Sequence, residues 1–220
     1  MKLSLILEQA RSSELSSLSP KDKTDAKIVT YVNAALVEMY RKFQLATEEA
    51  IIRLRPDLVK TVYTLGSTDS DVIVAGKPMT DGDVMVVLEA FNEDGSPITI
   101  NDENDPYSIY TVTYNQLQIP LLGNHTYVSV IYKKNPPLVT YKDDGNGNAQ
   151  DCDVPVPLQL LSAMCHYIGY RAHSAVDGNV QAENSTHYAK YMAAIAELVA
   201  EGSMNAESTV HATFKKRGFA

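Results

Sequence analysis

The residues of this chain whose types could carry chemistry are five histidines, two cysteines and several closely spaced carboxylates. His166, His173 and His187 fall near the C-terminus in segments with helical spacing, with Cys165 beside the first, while His125 and His211 stand apart. A zinc site needs about four converging nitrogen, sulfur or oxygen ligands. The spacing of His166 and His173 puts them on one helix face, but separated by roughly 10.5 Å of rise, too far to share one metal. The expectation is therefore helix histidines with ordinary partners and no metal. Asp144-Gly145-Asn146-Gly147-Asn148 offers oxygens at alternate positions, as a calcium loop does. Ala149 then stands where the turn glycine belongs and Pro155 where the bidentate Glu belongs, so an acidic loop tip is expected. Asp69/Asp71, Asp81/Asp83 and Asp102/Glu103/Asp105 could each supply an acid and a base. All lie in Gly-, Ser- and Asn-rich turns, where solvated charge is the ordinary outcome. No phosphate-cradling glycine loop, nucleophile elbow or zinc-protease motif occurs. The residues predict no enzyme, no cofactor and no metal.

The end of the chain has a different chemistry. Phe214, Lys215, Lys216, Arg217 and Phe219 place two aromatic side chains around three cations. Such a run is poorly suited to free solvent. It offers apolar anchors for pockets and positive charge for an acidic partner, so 203–220 reads as either a frayed terminus or a docking tail, and the family resemblance given below favours docking.

The elements that must carry these residues form three zones. In the first, Leu3, Ile6, Leu7 and Ala10 follow helical spacing, and Ser16-Ser17-Leu18-Ser19 breaks it. Ser19-Pro20-Lys21-Asp22 reads as a new helix start, with Ser as N-cap and Pro at the first helical position. Ile28, Val32, Ala35, Leu36, Met39 and Phe43 then form one apolar stripe. The second zone reads as strands: Ile51–Leu54 and Val59–Tyr63 about Arg55-Pro56-Asp57, and Val84–Leu88 and Pro97–Ile100 about Asn92-Glu93-Asp94-Gly95. Asp-Gly there predicts a type I′ hairpin turn. Tyr107–Tyr114 and Thr126–Lys133 are further β-rich runs. The third zone returns to helix after Asp153-Val154-Pro155-Val156-Pro157. One stripe there is Leu158, Leu161, Met164, Cys165, Ile168 and Ala172, and a second is Tyr188, Tyr191, Met192, Ile195, Leu198 and Val199. Asp177-Gly178-Asn179 is a turn, Gly202 an end signal, and the two helices should pack antiparallel.

The fold expected is α+β, mainly α. Helices from residues 1–46 and 154–202 form a bundle, 47–153 is a β-rich antiparallel insertion, and 203–220 is an extended tail.

Composition narrows the function. Of 220 residues, 45% are hydrophobic and 21% charged, ordinary for a globular protein, and the net charge is −8. That sign argues against tight nucleic-acid binding, which rests on Lys and Arg displacing counterions. Residues 66–153 hold 14 Asp and Glu against 4 Lys and Arg, whereas 203–220 carries a net +2, so the two stretches suit different neighbours. No apolar run is long enough to cross a bilayer, and Glu8 ends the first one too early for a secretory signal, so no membrane partner and a cytosolic origin are expected. Cys152 and Cys165 are expected to be reduced thiols.

The order of these elements resembles the phage adaptor, or head-to-tail connector, proteins, especially the tubular tail proteins of short-tailed phages. Ile28–Phe43 resembles their second helix and its Tyr-Arg-x-Phe exit. Asn101–Ser108 and Leu117-Gln118-Ile119-Pro120 resemble their β-insertion. Val130–Pro137, Val156-Pro157-Leu158 and Tyr167–Ala172 resemble the approach to their C-terminal helix pair. The resemblance covers about residues 20–202 and rests on order rather than on any single motif. It implies a virion neck component, made in the host cytoplasm, that forms a ring, typically of twelve subunits, between the portal protein and a downstream tail or nozzle protein. DNA passes through such a ring without specific binding. It also implies that Phe214, Lys215, Lys216, Arg217 and Phe219 bind the portal. The alternative is a receptor- or glycan-binding module with Tyr107, Tyr110, Tyr114 and Tyr127 as an aromatic platform.

Overall fold

A computed structural model of the chain describes residues 1–202 apart from 59, 80, 81, 121–124, 146 and 177–182. Two compact units emerge, one built from residues 1–45 with the described residues from 136 onward, the other from Ala46–Asn135.

The first unit carries the helices. Helix α1 (Leu3–Ser12) buries Leu3, Ile6, Leu7 and Ala10, the positions its spacing predicts. Its start is stitched to the segment before the third helix. Leu3 N–H donates to the Cys152 carbonyl at 2.9 Å and Val154 N–H to the Met1 carbonyl at 2.7 Å. The Met1 ammonium donates to the carbonyls of Val154 and Val156 at 2.7 and 3.1 Å.

Helix α2 (Asp25–Lys42) begins later than Ser19-Pro20 suggests. The Ser19 hydroxyl donates to the Asp22 carboxylate at 2.6 Å, so it caps a turn rather than a helix. Thr24 holds the N-cap position, and Asp25 places its charge in the first turn, where the helix dipole favours an anion. The expected stripe is buried throughout: Ile28, Val32, Ala35, Leu36, Met39 and Phe43. Each of these side chains larger than alanine, withdrawn from water, stabilises the unit by about 1.5–3 kcal/mol.

Helix α3 (Leu161–Val176) follows a short 3-10 turn at Leu158–Leu160, and helix α4 (Glu183–Ala200) completes the unit. Ring contacts pair Tyr167 with Tyr191, Tyr170 with Tyr188 and His173 with His187. Residue numbers rise on one helix as they fall on the other, so α3 and α4 are antiparallel. The predicted stripes are only partly buried. Leu158, in the 3-10 turn, is 61% exposed, and Tyr188, Met192 and Val199 face outward on α4. The expected turn at 177–179 lies outside the described residues.

The second unit is antiparallel β. Its strands are β1 (Thr47–Arg53), β2 (Val62–Thr64), β3 (Val72–Val74), β4 (Lys77–Pro78), β5 (Val84–Asn92), β6 (Pro97–Ile98), β7 (Tyr110–Thr113), β8 (Gln116–Gln118) and β9 (Tyr127–Lys134). They form a six-stranded sheet in the order β4-β3-β1-β9-β5-β6 and a three-stranded sheet in the order β2-β8-β7. The alternating burial of β1 puts Ala50 and Ile52 inside with Val128, Val130, Tyr132, Tyr63 and Leu117.

Three expectations need correction. With four helices and two antiparallel sheets among the described residues the fold is a mixed α+β one; the helical unit with a β-rich insertion holds in part, but the sheet content is more substantial than a mainly α fold implies. Strands β1 and β2, adjacent in sequence, belong to different sheets: β1 lies between β9 and β3, and β2 pairs with β8. The β5–β6 hairpin exists, but its turn is not type I′. Gly95 N–H bonds to Asn92 C=O and Asn92 N–H to Ser96 C=O, closing a three-residue loop in which Gly95 alone has positive φ. By contact, the described residues of 136–153 group with the helical unit.

Candidate functional site

The close carboxylates are engaged in structure rather than poised for proton transfer. Asp69 and Asp71 are buried in the β unit and share one lysine, with Lys60 Nζ 2.7 Å from Asp69 Oδ1 and 2.9 Å from Asp71 Oδ2. Arg55 Nε donates to the other oxygen of Asp71 at 2.9 Å. Thr64 N–H donates to Asp69 Oδ2 at 3.0 Å, covering the free edge of β2. Burial alone would raise the pKa of Asp71, but the bonds from Lys60 and Arg55 outweigh it and hold the carboxyl below its ordinary value. Tyr63 completes the cluster: its hydroxyl accepts from Arg55 N–H at 2.9 Å and donates to the Lys60 carbonyl at 3.2 Å. A carboxylate held ionised by two cations is a poor general base. This group locks the turn between β2 and β3 onto the segment after β1.

The other acidic turns are similarly taken up. Asp102 Oδ1 accepts from Asn104 N–H, Asp105 Oδ1 from Tyr107 N–H, and Asp105 Oδ2 from the Thr99 hydroxyl. Asp81 lies outside the described residues. In the loop that resembles a calcium site, Asp143 Oδ1 accepts from the N–H groups of Gly145 and Gly147 at 2.8 and 2.9 Å. That carboxylate closes the loop on itself.

The histidines converge on a residue that pattern reading passes over. Glu14, in the turn after α1, is buried. His187 Nδ1–H donates to its Oε2 at 2.6 Å, and His166 Nδ1 stands 3.1 Å from Oε1. Lys190 Nζ is 3.8 Å from Oε2. His173 Nε2–H donates to the Glu14 main-chain carbonyl at 2.9 Å, and its ring stacks on His187 with centroids 4.5 Å apart. One carboxylate thus ties the α1 exit to both α3 and α4. Its only advance signal is that three helix histidines in one zone need an acceptor. Among the described residues no group of three or more His, Cys, Asp or Glu is arranged to hold a metal. Cys152 and Cys165 are free thiols, and burial, with Glu14 nearby, pushes the Cys165 pKa up to about 12.

A second junction was equally hidden. Asp25 is buried, pairs with Arg11 of α1, and accepts from Ala149 N–H at 2.6 Å. It joins α1, α2 and the 143–149 loop.

Exposed aromatic and apolar side chains among the described residues form candidate surfaces. Tyr107 and Tyr114 are 63% and 65% exposed, Tyr127 is also exposed, and the Tyr110 hydroxyl donates to the Asp102 carbonyl at 2.9 Å. Tyr127 sits on β9 of the larger sheet while Tyr110 is on β7 of the smaller, so the four do not share one strand face. In the helical unit Tyr188, Met192 and Val199 stand exposed on α4, at spacings that keep them on one side of the helix. Phe214, Lys215, Lys216, Arg217 and Phe219 lie outside the described residues. No described helix is long and apolar enough to cross a membrane.

Comparison with known families finds a match over residues 1–213 to a family described as SU10 adaptor protein. Comparison with curated proteins finds no match.

Proposed function

This chain belongs to the SU10 adaptor protein family, a phage structural component, and from that membership we propose that it forms a ring between the portal protein and the tail. The observation that carries the reading is the match across nearly the whole chain, which takes in both the helical and the β unit.

Ring formation requires two different surfaces that meet head to tail about a closed axis. The exposed Tyr188, Met192 and Val199 on α4 are candidates for one of them. Twelve copies are proposed, from the stoichiometry typical of the adaptors the chain resembles. The tail 203–220 docks on the portal, with Phe214 and Phe219 as anchors and Lys215, Lys216 and Arg217 meeting acidic groups. The β unit faces the downstream tail or nozzle protein. The net charge of −8 suits a conduit through which DNA passes without sticking. The site of action is the virion neck, after synthesis in the host cytoplasm.

The test is to mix the purified chain with its portal protein and image the product by electron microscopy. Density stacked below the portal supports the adaptor ring and counts its subunits. An intact portal with nothing attached overturns it. A second reading, recognition of a receptor or glycan, is favoured by the exposure of Tyr107 and Tyr114. A glycan screen in which Tyr107→Ala and Tyr114→Ala abolish a bound signal supports that reading.

A further inference from the structure

Helix α4 turns a narrow face inward. Between Thr186 and Ala200 its buried side chains are Tyr191 and Ile195, whereas Tyr188, Met192, Ala196 and Val199 are exposed. At about 100° per residue those four fall within about 80° of one another, one stripe along the outer side of the helix. Tyr188, Met192 and Val199 are 43%, 40% and 40% exposed, which leaves large apolar surface in water on one side. Ala189 and Ala193 border the stripe and are exposed too, small enough to let a second helix come close. The far edge of those alanines is charged. Lys190 and Glu197 stand there, seven residues and about 10.5 Å of rise apart, on nearly the same side of the helix.

Three observations identify the occupant as a second copy of this chain. The first is charge. Glu197 has no ion pair among the described residues, and Lys190 Nζ, on a half-exposed side chain, reaches Glu14 Oε2 only at 3.8 Å. An ammonium has three donors, so Lys190 can serve a second carboxylate. The edge thus presents one cation and one anion with bonding capacity to spare. The second is register. Lys190 and Glu197 lie equally far on either side of the midpoint between Ala193 and Ala194, and so do Tyr188 and Val199. A two-fold axis at that level sets each Lys190 beside Glu197 of the partner subunit and each Tyr188 against Val199 of the partner subunit. The third is direction. Parallel helices in register would set like charges side by side, so the charged edge selects the antiparallel arrangement.

We propose that before assembly two copies pair through α4, antiparallel about a two-fold axis, with their stripes in contact and two Lys190–Glu197 ion pairs along one side. One stripe per copy makes a small interface, so the dimer is weak, in the micromolar range. The contact differs in kind from that of a ring. It closes after two copies, whereas a ring surface meets a different surface on the next copy. Where the same stripe serves the ring, the dimer keeps it covered until assembly competes for it. That consequence rests on the adaptor reading; the dimer does not, and its test needs no other protein.

Sedimentation velocity on the full chain, over a series of concentrations, reads the association directly. The wild type should move from monomer to dimer and stop there. Met192→Glu, at an exposed position, should leave only monomer, with circular dichroism unchanged. Glu197→Lys and Lys190→Glu should each weaken the dimer about tenfold, since each turns two attractive pairs into two repulsive ones. The double variant Lys190→Glu/Glu197→Lys should recover the wild-type dissociation constant within about threefold. A chain that stays monomeric at every concentration overturns the proposal and leaves the stripe to a partner of another kind. Growth beyond two copies overturns it in favour of a head-to-tail contact. A double variant no tighter than the single ones overturns it as well, because the charges then do not meet across the axis.

Discussion

Glu14 lies against the backbone of Gly169, so closely that a Cβ on residue 169 would stand 2.8 Å from Glu14 Cβ and 3.2 Å from His187 Nδ1. The glycine, buried in the middle of α3, lets the carboxylate reach both histidines. Gly169→Ala pits two effects against each other. Helix propensity favours alanine by about 1 kcal/mol. The steric conflict involves the root of a buried side chain, which cannot swing away, and overpacking of this kind costs about 1–3 kcal/mol. The expected outcome is net destabilisation, read as a lower urea midpoint with unchanged slope. A variant more stable than wild type would show that Glu14 is free to shift.

Asp71 supports a pH prediction. Its pKa is lowered in the folded protein, burial being outweighed by the bonds from Lys60 and Arg55. A group lowered on folding contributes stability that is complete above its unfolded pKa, near 3.8, and is lost as pH falls through the folded value. Asp71→Asn should therefore cost about 2 kcal/mol at pH 6, a value discounted for the partial exposure of the partners. The difference from wild type should narrow as pH falls from about 4 toward 2. A gap that stays constant down to pH 2 would mean that the ion pairs contribute nothing.

These two sites mark where sequence reading succeeds and stops. The stripe Leu3, Ile6, Leu7 and Ala10 was legible because burial in a helix follows its own period. The β5–β6 hairpin was legible in place because Gly95 must turn, though not in type, since Asn92 and Ser96 close a longer loop. The start of α2 was misplaced because the Ser19 hydroxyl found Asp22, a local competitor that a capping rule does not weigh. The strands after Thr47 were read as neighbours, but β1 takes its partner from residues 127–133. Glu14 was invisible for the same reason: its partners, His166 and His187, are more than 150 residues away, and no local pattern encodes that meeting.

The two thiols should differ sharply in reactivity. Cys165 is buried and its pKa is pushed up to about 12, whereas Cys152 is half-buried in the segment that pairs with the N-terminus. Only the thiolate attacks, and at pH 8 a group with a pKa near 12 is ionised about one part in ten thousand. Titration of the native protein with a thiol-reactive dye should label one residue, Cys152, and the second only on unfolding. Equal labelling rates would indicate that α3 opens readily in the native state.

The tail supplies the most direct test of the adaptor reading. The described helices and strands all lie within residues 1–202, so a chain with 203–220 deleted should keep its helices, read as a helical circular dichroism spectrum. Loss of two aromatic anchors should lower portal affinity by about a hundredfold or more, roughly 3 kcal/mol. The cations act differently. Replacing Lys215, Lys216 and Arg217 by Gln should slow association and flatten its dependence on salt, because charges at an interface rim steer encounter more than they hold the complex. Replacing Phe214 and Phe219 by Ala should instead speed dissociation. Portal binding that survives the deletion would reassign docking to the helical unit, where the exposed side chains of α4 are the next surface to alter.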